Sequence, residues 1–497
     1  MLPHPLHVFL LSAGLFLASL HHTPPCSAAA DGGDTLMAGQ ALALGDKLVS
    51  GDGKFALGFF QVQAPTSISN STTTTTTIPG WYLGIWFNKI PVFTTAWVAN
   101  RENPITAADL INHSAHLKIS RDGNLAIILN STASSESMIW STHIIVNRTT
   151  GTSTNTSALL MNNGNLVLMA ENPPSSSVHV VLWQSFDYPA DVGLPGAKLG
   201  RNKITGLNRL FISKKSLTDL GLGSYTIELG TNGVLFIKRR RPSLVYWSWS
   251  SGQLAYTLVP LLNELLDMDP RTKGLLKASY VHNNEEEYFT YTSHDESISA
   301  FVYMDITGQV KLKVWSRPKQ SWQTIYAEPS DPCSLRDACG PFTVCNGNSV
   351  PFCDCMEGFS PRSPQDWDAG DPIRGCVRST PLDCRSSNLQ DTSPEGMFHT
   401  IARVTMPSDP ESVDDASTRS KCEQGCLANC SCTAYSYNGN RCSVWHGELR
   451  NVNHNDGIDD SSEDVLYLRL AARDLQSIRR NTKRKPRVVA MVSTVGF

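Results

Sequence analysis

Twelve of the thirteen cysteines lie between Cys333 and Cys442, whereas the 306 residues separating Cys26 from Cys333 contain none. A thiol can pair, ligate a metal or act as a nucleophile, and the spacing selects among these. The first six, Cys333, Cys339, Cys345, Cys353, Cys355 and Cys376, are separated by 5, 5, 7, 1 and 20 residues. Paired Cys-x2-Cys spacing typical of zinc is absent. An even, dense set reads as disulfides, which persist in an oxidising compartment. Six cysteines allow 15 pairings, and a module this small needs bridges because its own core is too small. The second six are Cys384, Cys422, Cys426, Cys430, Cys432 and Cys442. Cys422 and Cys426 fall one helical turn apart, on one face. Cys430-Ser-Cys432-Thr-Ala-Tyr435 alternates like a strand.

A second set of polar residues recurs along the cysteine-free half. Leu117 to Leu129 contains Asp122-Gly123-Asn124, and Leu159 to Met169 contains Asn163-Gly164-Asn165. Carboxylate and amide side chains can hold sugar hydroxyls, but Asx-Gly pairs also make hairpin turns, where glycine supplies a positive φ. Gly-Asn-Leu recurs 41 residues apart, and Asp52-Gly53-Lys54-Phe55 is a looser third copy. Three hairpin units predict a pseudo-threefold β arrangement.

Catalytic constellations are missing. Gly51-x-Gly53-x-x-Ala56 imitates a nucleotide loop, but Lys54-Phe55 begins a strand rather than a helix. Neither a Gly-x-Ser-x-Gly elbow nor His-Glu-x-x-His occurs, and the kinase motifs are absent. No cofactor and no metal site are expected. A net charge of -3 gives no case for nucleic acid. Lys238-Arg239-Arg240-Arg241 is expected to be a solvated loop or strand edge closed by Pro242.

The elements that must position these residues are strands. Lys54 to Phe60, Trp81 to Phe87, Leu125 to Leu129 and Leu166 to Met169 are short apolar runs bounded by turn residues. Tyr225 to Leu229, Val234 to Ile237 and Val310 to Trp315 follow the same rule. The expected fold is mainly β and multidomain. Ser69 to Thr77 is a low-complexity loop with six successive threonines. Val8 to Leu20, followed by Ala28-Ala29-Ala30, reads as a secretory signal peptide that carries Cys26 away. Sequons at Asn70, Asn112, Asn130, Asn147, Asn155 and Asn429 fit a secreted glycoprotein. Near the C-terminus, Lys483-Arg484-Lys485-Pro486-Arg487 precedes an apolar segment of ten residues, Val488 to Phe497. A span needs about 20. The expectation is a truncated product of a longer membrane receptor, rather than a secreted protein with an apolar tail.

Trp183-Gln-Ser-Phe-Asp-Tyr-Pro-Ala-Asp-Val-Gly-Leu-Pro-Gly-Ala-Lys-Leu-Gly200, with Trp97-Val-Ala-Asn-Arg-Glu-Asn-Pro104 and Lys54 to Phe60, resembles the bulb-type lectin domain of plant S-domain receptor kinases. The resemblance covers nearly the whole mature chain. It implies a signal peptide at 1–30 and a β-prism bulb-type lectin domain at 31–200. An S-locus-glycoprotein-like β domain at 201–328 and an EGF-like module at 329–380 follow. A PAN/apple α+β module at 384–470, a basic juxtamembrane linker at 471–487 and the start of a transmembrane segment at 488–497 complete the chain. Tyr246-Trp-Ser-Trp249 stands where the family has Tyr-Trp-x-Ser-Gly. The family pairing would be Cys333–Cys345, Cys339–Cys353, Cys355–Cys376, Cys422–Cys442, Cys426–Cys432 and Cys384–Cys430. Asp331-Pro332-Cys333 lacks the entry of calcium-binding EGF modules.

In this lectin family Gln-x-Asp-x-Asn-x-Val-x-Tyr binds mannose. One copy here aligns Ser120, Asp122, Asn124, Ala126 and Ile128; the other aligns Met161, Asn163, Asn165, Val167 and Met169. Asp122, Asn124, Asn163, Asn165 and Val167 form a degenerate carbohydrate site, without Gln or Tyr in either copy. Each lost hydrogen bond weakens polar recognition by about 1 kcal/mol, and hairpin chemistry alone accounts for these residues. The resemblance implies a receptor ectodomain, or its soluble form, that recognises an unknown extracellular peptide, protein or glycan. It would dimerise, with itself or a relative, through the PAN module and sit on the extracellular face of the plasma membrane if full length. A secreted mannose-binding lectin or soluble S-locus-glycoprotein-like protein is the alternative. The serine/threonine kinase would lie outside this chain.

Overall fold

The three Asx-Gly turns sit at the tips of three hairpins. In the computed structural model Gly53, Gly123 and Gly164 all have positive φ (74°, 87° and 84°). The structure describes residues 33–62, 80–131, 136–144, 156–171, 179–231, 233–241, 243–249, 255–334, 337–347, 349, 351–368, 371–382, 398–439, 441–455 and 465–484. The signal segment with Cys26, the threonine run, Asn70, Asn147, Asn155, Cys384 and the apolar C-terminal segment lie outside these residues.

Three short strands open the described chain: β1 (Thr35–Met37), β2 (Ala41–Ala43) and β3 (Lys47–Val49). Three meanders follow. They are β4 (Phe55–Gln61), β5 (Trp81–Phe87) and β6 (Thr95–Val98), then β7 (His113–Ile119), β8 (Leu125–Ser131) and β9 (Glu136–Ser141), then β10 (Thr156–Leu160), β11 (Leu166–Glu171) and β12 (His179–Gln184). The short strands dock in reverse order, β3 on β4, β2 on β7 and β1 on β10, which yields three four-stranded antiparallel sheets. Alternation along each strand turns one face inward. Leu36, Leu42 and Leu48, one from each short strand, are fully buried in the shared core. Burying each stabilises the fold by about 2 kcal/mol.

The next region repeats this plan. Its strands are β13 (Val192–Gly193), β14 (Leu199–Asn202), β15 (Asn208–Arg209), β16 (Phe211–Lys214), β17 (Leu222–Leu229), β18 (Leu235–Arg239) and β19 (Leu244–Ser248). After helix α1 (Ala255–Met268) come β20 (Leu276–His282), β21 (Glu286–Ser293), β22 (Ala300–Met304), β23 (Val310–Ser316) and β24 (Ser321–Glu328). Leading strands again dock in reverse: β16 on β17, β14 on β21, β13 on β22. Three more four-stranded sheets result, a second prism. Residues 192–200, counted with the first domain on sequence grounds, therefore pair with later strands. Helix α1 was not expected; Pro260, which lies inside it, hid it.

Two stapled modules complete the chain. The first contains β25 (Thr343–Cys345), β26 (Cys353–Cys355), β27 (Phe359–Pro361), α2 (Pro364–Asp368) and β28 (Cys376–Arg378). Its bridges are Cys333–Cys345, Cys339–Cys353 and Cys355–Cys376. The second contains β29 (Phe398–Ile401), β30 (Glu411–Ser412), α3 (Arg419–Ala428), β31 (Cys432–Asn438), β32 (Arg441–His446), β33 (Val452–Asn453) and β34 (Leu466–Arg469). Helix α3, capped by the Thr418 hydroxyl, places Cys422 and Cys426 inward, where they bridge to Cys442 and Cys432. Cys430 is also disulfide-bonded. Residues 472–484, expected as a linker, form helix α4 (Ala472–Arg484). Leu475 and Ile478, three apart, dock it on the core shared by both modules.

Candidate functional site

The degenerate sugar residues occupy the hairpin tips and the strands behind them. At the second tip the Asn124 N–H and Nδ2 donate to the Asp122 carboxylate (3.2 and 2.9 Å), and the Ser120 hydroxyl donates to it as well. That hydroxyl holds the Asp122 carboxyl below its usual range. Asn124 Nδ2 also donates to the Ile144 carbonyl (3.2 Å), while its Oδ1 accepts from Thr142 Oγ1 and Ile144 N (2.9 and 2.6 Å). A primary amide has two donors and two acceptor lone pairs, so Asn124 is saturated within the protein.

The other tips follow the same rule. Asn163 Oδ1 accepts from Asn165 N (3.1 Å). Asn165 Oδ1 accepts from Ser185 Oγ and Phe186 N (3.0 and 3.2 Å), and its Nδ2 donates to Gln184 Oε1 (2.9 Å). In the third copy Asp52 Oδ1 accepts from Lys54 N (2.9 Å). Lys54 stands where the other copies have asparagine, and its Nζ reaches the Glu296 and Ile298 carbonyls (2.9 and 2.6 Å) of the second prism.

The strand faces that would carry a sugar are covered or apolar. Ala126 and Ile128 on β8 are buried. Lys118 on β7 reaches Glu136 on β9 (2.7 Å), so the ion pair spans β8. Val167 is buried, and its neighbours on the same face of the sheet include Met169 and the exposed Val181. The predicted residues are not brought together: Asp122 and Asn124 belong to one sheet, Asn163, Asn165 and Val167 to another. Asn163 instead borders a cleft of about 220 Å³ with Asp52, Lys54 and Glu296. Among the sequons, Asn112 and Asn429 are exposed. Asn130 lies in β8 with its Oδ1 buried and without a partner.

An open aromatic cleft lies instead where the meanders' last strands converge. Trp97, Trp140 and Trp183, one per sheet, meet edge to face with centroids 5.8–6.0 Å apart, an arrangement favoured by the ring quadrupoles. Tyr188 stacks on Trp183 at 5.5 Å. These rings floor a cleft of about 390 Å³ whose polar margin includes Glu102, Asn103 and His143. The Trp140 role was missed on sequence; its place in the third strand of a repeat was the available signal.

Beside the cleft, Arg101 explains its motif. Its guanidinium donates to the carbonyls of Leu220, Ile212, Ser213 and Gly221 (2.8–3.3 Å), tying the first prism to the second. Burial holds its pKa below the usual value. Asn100 braces the same turn through Leu83, Trp81 and Asn103. Arg209 adds Asp187 and Glu286 (2.5 and 2.8 Å). The basic run is not simply solvated, contrary to expectation. Arg239 is buried in β18, a strand flanked on both sides, and donates to the Asp337 carbonyl of the first stapled module.

Comparison with known proteins follows this architecture. D-mannose binding lectin matches residues 94–215, the S-locus glycoprotein domain residues 249–363, and the PAN-like domain residues 384–452. A G-type lectin S-receptor-like serine/threonine-protein kinase of Arabidopsis thaliana is 32% identical over 90% of this chain, which spans 49% of that protein. An S-locus-specific glycoprotein of Brassica oleracea is 31% identical over 86% of this chain and 89% of its own length. A monomeric monocot mannose-binding lectin from Gastrodia elata overlays 31% of this chain at 18% identity, with a TM-score of 0.19. The chain belongs to the G-type lectin S-receptor-like and S-locus glycoprotein family.

Proposed function

We propose that this chain is the extracellular recognition region of a plant receptor-like serine/threonine kinase, a membrane-attached sensor whose catalytic domain lies outside these residues. The observation that carries the reading is the alignment over nine-tenths of this chain with about half of a receptor kinase. Its lectin, S-locus and PAN regions serve recognition, and its stapled modules suit the secretory pathway. The first stapled module acts as an EGF-like spacer, and the PAN module mediates dimerisation. The ligand is an extracellular peptide, protein or glycan. We assign its first contact to the aromatic cleft, because that surface is concave and sets the exposed Tyr188 ring and a tryptophan floor beside polar groups.

Transcript sequencing beyond codon 497 tests the membrane-receptor reading. A continuing frame with an apolar span and a kinase is expected; a stop codon would overturn it in favour of a soluble product. Sedimentation of the secreted chain tests dimerisation, and a monomer at micromolar concentration would remove that role from the PAN module. Saturation of Asn124 within the protein argues against the degenerate mannose residues as the main site. Glycan-array binding of mannose that disappears in Asp122→Ala would favour the secreted-lectin alternative.

A further inference from the structure

The two prisms are built on one plan but filled differently. Where the first packs three tryptophans, the second leaves a partly open cavity of about 180 Å³. All three of its sheets contribute walls: Leu199 and Phe289 from one, Phe211 and Ile227 from another, Val310 and Leu312 from the third. Leu262, Leu265 and Leu266 of α1 border it. The Tyr291 hydroxyl also lies here but donates to the Gly193 carbonyl (2.9 Å), and the lining includes Thr290, whose buried Oγ1 is without a partner and offers a water one contact, fewer than it needs. Burial raises the Tyr291 pKa, so this hydroxyl stays neutral.

A water molecule in a cavity needs two to four polar partners, and an apolar void of about 150 Å³ elsewhere stays dry and takes benzene. An empty void also forfeits dispersion contacts on its lining. Helix α1 leaves a route inward. It is anchored by Leu258 in the core and by Asn263, whose amide pairs with the Ala278 backbone N–H and carbonyl (2.8 and 3.1 Å). Leu262, Leu265 and Leu266 remain only half-buried beneath it.

We infer that the core of the second prism is a binding site for a small neutral hydrophobic molecule, an aromatic ring or short alkyl group that enters beside α1. The site does not depend on the receptor reading, and a stop codon after residue 497 would leave it untouched.

Thermal melting of the secreted chain with benzene as the probe tests it. Benzene should raise the melting temperature by several degrees in a saturable manner, as a ligand of the native state must. Ala278→Leu, which places three more carbons at the cavity wall, should abolish the shift. An equal shift in Ala278→Leu, or none in the unmodified chain, overturns the inference. Crystals of the unmodified chain under xenon pressure decide the matter should Ala278→Leu fail to fold. A xenon peak between Phe211 and Phe289 is expected, and an empty cavity at saturation rejects the site.

Discussion

The first prism and the second share a docking order of strands yet solve the centre of the fold in opposite ways. Three indoles from equivalent strands interlock in the first. In the second, Trp247 and Trp249 pack against each other at 4.6 Å, and Trp249 borders a cavity. Backbone pairing is therefore indifferent to whether the centre is filled, because sheet hydrogen bonds close within each sheet. Side-chain volume decides whether the centre is a rigid plug or a chamber.

The comparison breaks most readily at the plug. Trp183→Ala should cost about 4 kcal/mol in denaturant unfolding, the range for a buried tryptophan that leaves a cavity. Trp249→Ala should cost only about 1–2 kcal/mol, since its neighbours already border a void. Equal losses would mean that the second centre is packed as tightly as the first. At the junction, Arg101→Met strands four carbonyls and should cost about 3 kcal/mol. Calorimetry should then resolve two transitions in place of one joint transition, and a single unshifted transition would show the prisms coupled by other contacts.

Smaller effects separate structural from ligand-binding roles at the hairpin tips. Asn124→Ala should cost about 2 kcal/mol, because Thr142 Oγ1 and Ile144 N lose their acceptor. Mannose binding on a glycan array should be the same before and after. A stability-neutral Asn124→Ala would return this residue to the ligand. The smallest contrast is in pH. Asp122 in the first prism has a depressed pKa, so its stabilisation is present above the unfolded carboxyl pKa and is lost as pH falls through the folded value. Glu328 at the end of the second has a pKa raised by burial. Its contribution is the reverse: stability is highest below the unfolded pKa and declines as pH rises through the folded one. Melting curves of Asp122→Asn and Glu328→Gln between pH 3 and 7 should flatten opposite slopes.

Much of the first prism was legible because its signals are local. Asx-Gly pairs need positive φ whatever surrounds them, and Lys54 to Phe60 is an apolar run that forms one strand, buried from Phe55 to Phe60. The stapled modules were legible from the number and density of their cysteines, while the pairing within each was legible only through the resemblance to the family. The second prism was obscure. Its leading strand β13 and the edge strand β15 are two residues long, and β14 finds its partner β21 more than 80 residues later. The sugar residues were located in sequence, but their hydrogen-bond saturation was not, because Thr142, Ile144, Ser185 and Phe186 arrive from other strands or loops.

By itself the sequence determined the class of the molecule: β units with glycine-dependent turns, followed by sulfur-stapled modules for an oxidising compartment. These follow from residue chemistry and short-range geometry. Only the tertiary structure decided that the β units form two prisms, that three tryptophans plug one and a chamber remains in the other, and that Arg101 and Arg239 are buried connectors. Those outcomes depend on which distant strands meet, and on the volume left when they do.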